Sequence, residues 1–475
     1  MAVLSRLFAF LRRLLRWVLY GVLLLLGLLG VAYAGLVYVN LEDEALLPGI
    51  PALMQERPPQ LAPELNGYFA WIGVMGPESV PPHAWGRQWW AEALAIDAKP
   101  RLGDEPVKPA IQAGLRAGSW PKDGPCWQVE RCFDQVAADR ARVRALLAQA
   151  RPTLERAEVA MAFSQVQEPW RPEYGLASPI APYPRSLGAM ARASFVLDLF
   201  EGRHQEALER LARQQRFHVA QAVGAVSMID KMVALAYLRD LYLMLGQYLH
   251  YHPQEALAHG ALIEAMLAPL PNPALDLRAA IRSETRALLQ LLLSVREQGL
   301  DWQSAVLREL PEQWRGWLSD LFWLPFYQSQ TTANTAYSLY AGYLEAEALS
   351  GEAYRRALAA AERRRKDYRT SVLESLQARN PVGRVLASLA DPGFNSFMFR
   401  RDDLRMIHSA LTLRFRLLQE GTEQHQEQDL SLLQEQPDLV HPSTGQGPRW
   451  VEAEQALVYP AHELRRGKGA LMIRM

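Results

Sequence analysis

From Trp17 to Val39 the chain carries 23 consecutive uncharged residues, dominated by Leu, Val and Gly. Beyond Asn40 that run gives way to stretches rich in Ala, Leu, Arg, Glu and Gln, all good helix formers, separated by Pro- and Gly-rich breaks. The pattern predicts an all-α chain with an N-terminal transmembrane helix and a multi-helix body. Helices are expected over Phe133–Phe163, Ala222–Tyr248, Pro253–Leu267, Pro273–Gln298, Thr331–Leu376 and Arg401–Glu420. A helical hairpin, Ala189–Glu201 and Gln205–Val219, turns at Gly202. Its Gly202–Ala207 stretch resembles the inter-helix turn of tetratricopeptide repeats, but no copy follows 34 residues on, so no array is expected. Trp85, Trp89 and Trp90 are spaced to share a helical face. Near the C-terminus, Trp450-Val451 and Leu457-Val458-Tyr459 predict a short β-hairpin.

Written as segments, the expectation is a basic stretch (1–16), a membrane helix (17–39), a Pro-rich spacer (40–65), a helical exported domain (66–420) and a C-terminal tail (421–475). The apolar run, as a helix, spans about 34 Å, enough for a bilayer core of about 30 Å. Arg6, Arg12, Arg13 and Arg16 precede it, and Glu42, Asp43 and Glu44 follow. The positive-inside rule then puts the N-terminus in the cytoplasm and the bulk outside, in the periplasm of a bacterial inner-membrane protein. The competing reading is a signal peptide cleaved after Ala32-Tyr33-Ala34, at Ala34-Gly35. The anchor is preferred because the run continues to Val39, longer than a signal h-region. A second apolar stretch, Val219–Leu249, is interrupted by Asp230, Lys231, Arg239 and Asp240 and reads as a core helix.

Charge and cysteines narrow the picture further. All 51 acidic residues but only 47 of the 51 basic ones follow the anchor, leaving it mildly acidic, with no electrostatic case for nucleic-acid binding. The two cysteines, Cys126 and Cys132, are expected to form a disulfide in an oxidising compartment, contributing about 2 kcal/mol on the chain-entropy model. A redox role is disfavoured, because the spacing is not CxxC.

The order of features resembles a group of uncharacterised, membrane-anchored proteobacterial proteins. Those features are the anchor, Asn66-Gly67-Tyr68, the cysteine pair, the Gly202–Ala207 hairpin with the Lys231-Met232 helix, and Asn380-Pro381-Val382-Gly383. That resemblance implies no activity. Asp403–Leu418 followed by His441-Pro-Ser-Thr-Gly-Gln-Gly-Pro-Arg-Trp450 resembles the helix-then-DPFTGxPLRY ending of pseudopilin-like exported proteins. Here His441 and Ser443 stand where Asp and Phe are usual, and the Gly-Arg-Tyr-Pro turn is missing.

No P-loop, GxGxxG, GxSxG or HExxH occurs. Ser119 and Lys122 match SxxK formally, but Pro121 between them opposes the helix that pattern needs. His250, His252 and His259 are the densest histidines, yet no Asp or Cys at matching spacing completes a metal site, so no metal or cofactor is expected. Asp230 and Lys231 are candidates for buried charges. They point about 100° apart, so each would need a partner on another helix. Arg363-Arg364-Arg365-Lys366 reads as a solvated helix face, and the aromatic stretch from Trp302 to Tyr327 as core. The expectation is a membrane-anchored envelope protein that binds or scaffolds other proteins. The alternatives are an envelope enzyme without a recognisable motif and an accessory of a secretion or pilus system.

Overall fold

The computed structural model describes residues 2–95, 120–121, 123–170, 184–298, 324–370, 379–389, 393–421, 436–451, 456–459 and 471–474. Helix α1 (Ala2–Val39) contains the apolar stretch Arg12–Val39, long and apolar enough to cross a membrane, with a mean hydropathy of 2.4 and no part of its most apolar window buried. The body begins with α2 (Gly49–Gln55), α3 (Gly67–Ile72) and α4 (Pro82–Ala95). Then come α5 (Cys132–Ala138), α6 (Arg140–Met161) and the hairpin α7 (Pro184–Phe200) and α8 (His204–Gly224). The chain continues through α9 (Met228–Tyr251), α10 (Pro253–Ala258), α11 (Gly260–Met266), α12 (Asn272–Leu275) and α13 (Arg278–Gln298). The last helices among the described residues are α14 (Ser329–Glu347), α15 (Gly351–Thr370), α16 (Pro381–Leu389) and α17 (Asn395–Gln419).

Helix α9 is the axis of the body. It is apolar almost all round, and Met232, Leu235, Leu238, Tyr242, Leu245 and Leu249 are buried in the larger core, against α8, α13 and α17. A helix without a polar face must be surrounded. Ser227 caps its start, accepting the Asp230 N–H at 3.3 Å. A second, aromatic core gathers Tyr68, Trp71, Trp85, Trp89 and Trp90 around Phe217 and Tyr237. The three tryptophans of α4 are all buried there.

Strands β1 (Arg449–Val451), β2 (Ala456–Tyr459) and β3 (Leu471–Arg474) form an antiparallel sheet in the order β1-β2-β3. The hairpin is the expected one, with Trp450 opposite Leu457; β3 was not expected. Leu457, Tyr459 and Ile473 enter the main core, so the described parts of the tail pack onto the helical body.

Several helices break where continuity was expected. The span Phe133–Phe163 divides at Asp139, whose carboxylate caps α6 through the Arg142 N–H at 3.0 Å. Pro253–Leu267 divides at His259, and Thr331–Leu376 divides after Ala348. Gly351 has φ +56°, a left-handed conformation that L side chains resist, and it starts α15 in a new direction. The Pro-rich stretch 40–65 is not a free spacer. Ile50 and Leu53 of α2 are buried in the main core, and burial of these apolar side chains ties the segment down. Ser119, Lys122, the 302–323 part of the aromatic stretch and the polar segment 422–435 lie outside the described residues. Tyr327 is buried, its hydroxyl donating to the Leu292 carbonyl at 2.5 Å.

Candidate functional site: the junction of α1 with the body

The end of α1, the helix long and apolar enough to cross a membrane, is fastened to the body by a chain of side-chain hydrogen bonds. Asn40 is buried; its amide donates to the Leu36 carbonyl at 2.8 Å, and its Oδ1 accepts the Asn380 N–H at 2.6 Å. Asn380 sits at φ +49°, a conformation asparagine tolerates better than most residues. Its Oδ1 accepts the Gln328 N–H at 2.9 Å, its Nδ2 donates to Thr332 Oγ1 at 3.0 Å, and its carbonyl accepts the Arg384 N–H at 3.0 Å. Pro381 then supplies the first residue of α16, where a missing N–H costs nothing. A Cβ on Gly383 would lie 1.9 Å from Thr332 Oγ1, so only glycine fits. The Asn-Pro-Val-Gly tetrapeptide is thus a clamp between α14, α16 and the end of α1.

Asp43 extends the clamp. Its carboxylate accepts the backbone N–H groups of Gln330 and Thr331, each at 2.8 Å, and the Thr331 hydroxyl at 2.8 Å. A carboxylate there satisfies the open amides at the start of α14 and meets the positive end of its dipole, worth about 1 kcal/mol. Burial by itself would raise the Asp43 pKa, but these donors outweigh it and hold the group below the usual carboxylate value. Asn334 continues along α14, accepting the Leu47 N–H at 2.9 Å and donating to the Ala45 carbonyl at 2.9 Å. On α1 itself, Tyr33 meets Phe326 edge-on, ring centroids 5.6 Å apart.

Of the stretches singled out from the sequence, Asn380–Gly383 lies in this junction; the buried-charge candidates and the cysteine pair lie elsewhere, in the interior. Asp230 accepts the Tyr68 hydroxyl at 2.7 Å, tying α9 to the aromatic core. The Asn66-Gly67-Tyr68 stretch is held in turn by Asn66, which caps α3 through the Tyr68 N–H at 3.1 Å and donates to the Gln167 carbonyl at 2.7 Å. Lys231 donates to the Ala222 carbonyl at 2.6 Å and the Pro273 carbonyl at 2.7 Å. Desolvation pushes its pKa down to about 8, against the opposing influence of Asp276 and Glu347. Cys126 and Cys132 are bonded, S–S 2.03 Å, and buried. Arg192 donates to the Cys126 carbonyl at 2.8 and 3.0 Å and to Asp240 at 2.5 Å, which seats the disulfide loop against α7 and α9. His218, not singled out beforehand, stacks on Tyr237 with centroids 4.3 Å apart, and burial pushes its pKa down to about 4. It is a neutral core side chain.

Two further polar clusters lie at the other helices. Arg401, buried, meets Asp402 at 2.9 Å, the Tyr354 hydroxyl at 2.8 Å and Glu347. Ser443 donates to Asp402, while His441 Nε2 faces Asp403 Oδ1 at 3.1 Å. Serine and histidine of the His441–Gly445 turn therefore address different carboxylates, an arrangement that holds the turn rather than one that activates a nucleophile. The basic run of α15 is divided. Arg365 is buried against Glu362 at 2.7 Å, whereas Arg363, Arg364 and Lys366 are exposed. A cleft of about 360 Å³ between α6, α7 and α8 contains Arg210 and Arg213, engaged respectively with Asp198 at 2.6 Å and Glu158 at 3.4 Å.

The histidines group differently from the sequence expectation. His252 is joined neither by His250 nor by His259, but by His204 at the start of α8 and Glu255 of α10, their ligating atoms within 4.8 Å of one another. Desolvation lowers the His252 pKa, and the neighbouring His204 adds to the effect while Glu255 opposes it. Neither His204 nor Glu255 carried a sequence signal beyond the three-residue step from His252 to Glu255. No family model matches this chain, and neither a curated protein nor a solved structure matches it.

Proposed function

We propose that this is a single-pass protein of the bacterial inner membrane, with its N-terminus in the cytoplasm, whose exported helical body binds or scaffolds another envelope protein. The observation that carries the reading is the junction. Asn40, Asp43 and Asn334 with Asn380 fix the body to the end of the membrane helix instead of leaving it on a loose tether. A body held at one height and attitude presents the same face to every partner confined to or near the membrane, which lowers the orientational cost of association. An enzyme acting on a freely diffusing substrate gains nothing from such fixation. The four arginines before the span support the orientation.

The test is crosslinking in intact cells, followed by purification in mild detergent and identification of what accompanies the protein. A reproducible stoichiometric envelope partner is expected, and it should be lost from a Asp43→Ala, Asn380→Ala double variant that still fractionates with membranes. Recovery of the protein alone, or partner capture indifferent to the junction, overturns the reading. Protease added to spheroplasts should digest the chain beyond residue 40 and spare the N-terminal segment; protection of the body refutes the orientation.

A further inference from the structure

We infer that His204, His252 and Glu255 bind a divalent transition-metal ion of the zinc type. His204 opens α8, immediately after the hairpin turn at Gly202, and His252 and Glu255 lie where α9 gives way to α10. The two turns thus meet at one end of the body, and an ion there would bridge them. The three ligating atoms already fall within 4.8 Å of one another. Tetrahedral zinc with bonds of about 2.0–2.2 Å places its ligands roughly 3.4 Å apart, so a side-chain rotation, chiefly of the exposed Glu255, closes the set.

The bland account is that these imidazoles only pack. His252 does lie against Tyr248, centroids 5.6 Å apart, and near Phe133 at 6.3 Å. Packing explains the rings but not the buried Nδ1 of His204. His204 Nδ1 is buried without a hydrogen-bond partner, and so is the hydroxyl of Tyr248, whose ring lies 6.0 Å from that of His204. A buried polar atom left in that state costs about 1–3 kcal/mol. A metal bond to His204 Nδ1 would remove that atom's share of the cost.

Ligand chemistry sets the class of ion. Two imidazoles and one carboxylate suit zinc and its neighbours, whereas calcium and magnesium favour all-oxygen sets. Three protein ligands leave a fourth position, and because Glu255 is exposed that position faces solvent, open to water or to a side chain of a docked protein. The inference is independent of the function proposed above.

The experiment uses the full chain, purified in detergent without a polyhistidine tag, and equilibrium dialysis against zinc chloride alone at micromolar free concentration. One zinc per chain is expected. His204→Gln and Glu255→Gln should each weaken binding more than about tenfold, since even loss of a ligand's supporting contact costs about that much. His250→Ala, outside the cluster, should leave binding unchanged. Circular dichroism establishes that each variant is folded. Cobalt substitution gives a second readout on the unaltered chain: visible absorption of a low-coordinate site, absent from Glu255→Gln. No retained zinc, retention unaffected by His204→Gln, or an equal loss in His250→Ala overturns the assignment.

Discussion

Lys231 and Arg401 are both buried cations and both feel the Glu347 carboxylate, yet the protein treats them oppositely. Lys231 donates to two carbonyls, those of Ala222 near the C-terminal end of α8 and of Pro273 in α12. Desolvation prevails there, and its pKa falls to about 8. Desolvation opposes the charge of Arg401 as well, but Asp402 and Glu347 outweigh it and drive its pKa up. Carbonyl dipoles satisfy the hydrogen bonds of an ammonium without replacing the water that stabilised its full charge. Opposite charges do replace it, provided that every partner stays in place.

The largest effect should follow from breaking the second arrangement. Arg401→Ala leaves Asp402 and Glu347 buried without their cation, and a loss of about 3–5 kcal/mol in unfolding free energy is expected from denaturant titration. Replacing the whole group, Arg401→Met with Asp402→Leu and Glu347→Leu, should cost much less, because no orphan charge is left. If the triple variant is as unstable as the single one, compensation is the wrong description of the site.

A smaller, pH-dependent effect distinguishes Lys231. Its folded pKa of about 8 lies below the ordinary lysine value of 10.5, so between those limits the unfolded chain binds more protons than the native one. Stability therefore rises with pH across that window, and the penalty is present in full below pH 8. Above pH 10 the trend reverses, since burial raises the pKa of Tyr242 to about 12 and of Tyr237 still further. The thermal midpoint should climb from pH 8 to near pH 10 and then fall. Lys231→Met should abolish the climb and keep the fall; a climb that survives the substitution removes Lys231 as its source.

What could be read from the chain beforehand was local. The apolar run before Asn40, the helix-forming segments, the β2 strand of the hairpin and the close cysteine pair each depend on neighbours in sequence, and each has its counterpart in the structure. The breaks at Asp139, His259 and Ala348 were not read, because tertiary packing decided where a helical sequence would turn, although Gly351 is visible in retrospect as a stop. The junction was hidden for a different reason. Asn40 and Asn380 stand 340 residues apart, and polar side chains that act as caps for a distant helix leave no periodic signal. Prolines between 48 and 63 suggested a spacer, and the two apolar side chains that bind it, Ile50 and Leu53, were too few to register as a pattern. His204 lay beyond reach likewise, 48 residues from His252 in a different hairpin.

Asp43 sharpens the comparison with the least energy at stake, because it is the mirror image of Lys231. Its charge too is met by backbone, here by the N–H groups that open α14. Desolvation nonetheless loses, and its pKa is lowered. Two things differ: Asp43 is only half-buried, and its backbone and hydroxyl donors lie at the positive end of a helix dipole. The depressed folded pKa means that Asp43 contributes stability that is complete above about pH 3.8 and is lost as pH falls through the folded value. Asp43→Asn keeps the shape and one acceptor while removing the charge. A loss of about 1 kcal/mol is expected at pH 7 and a smaller one at pH 3, below the unfolded carboxyl's value of 3.8, where part of the charge-dependent stability is already gone. Denaturation of both proteins at the two pH values decides it. An equal difference at both would assign the loss to hydrogen-bond geometry alone, and backbone would then stabilise Asp43 no better than it does Lys231.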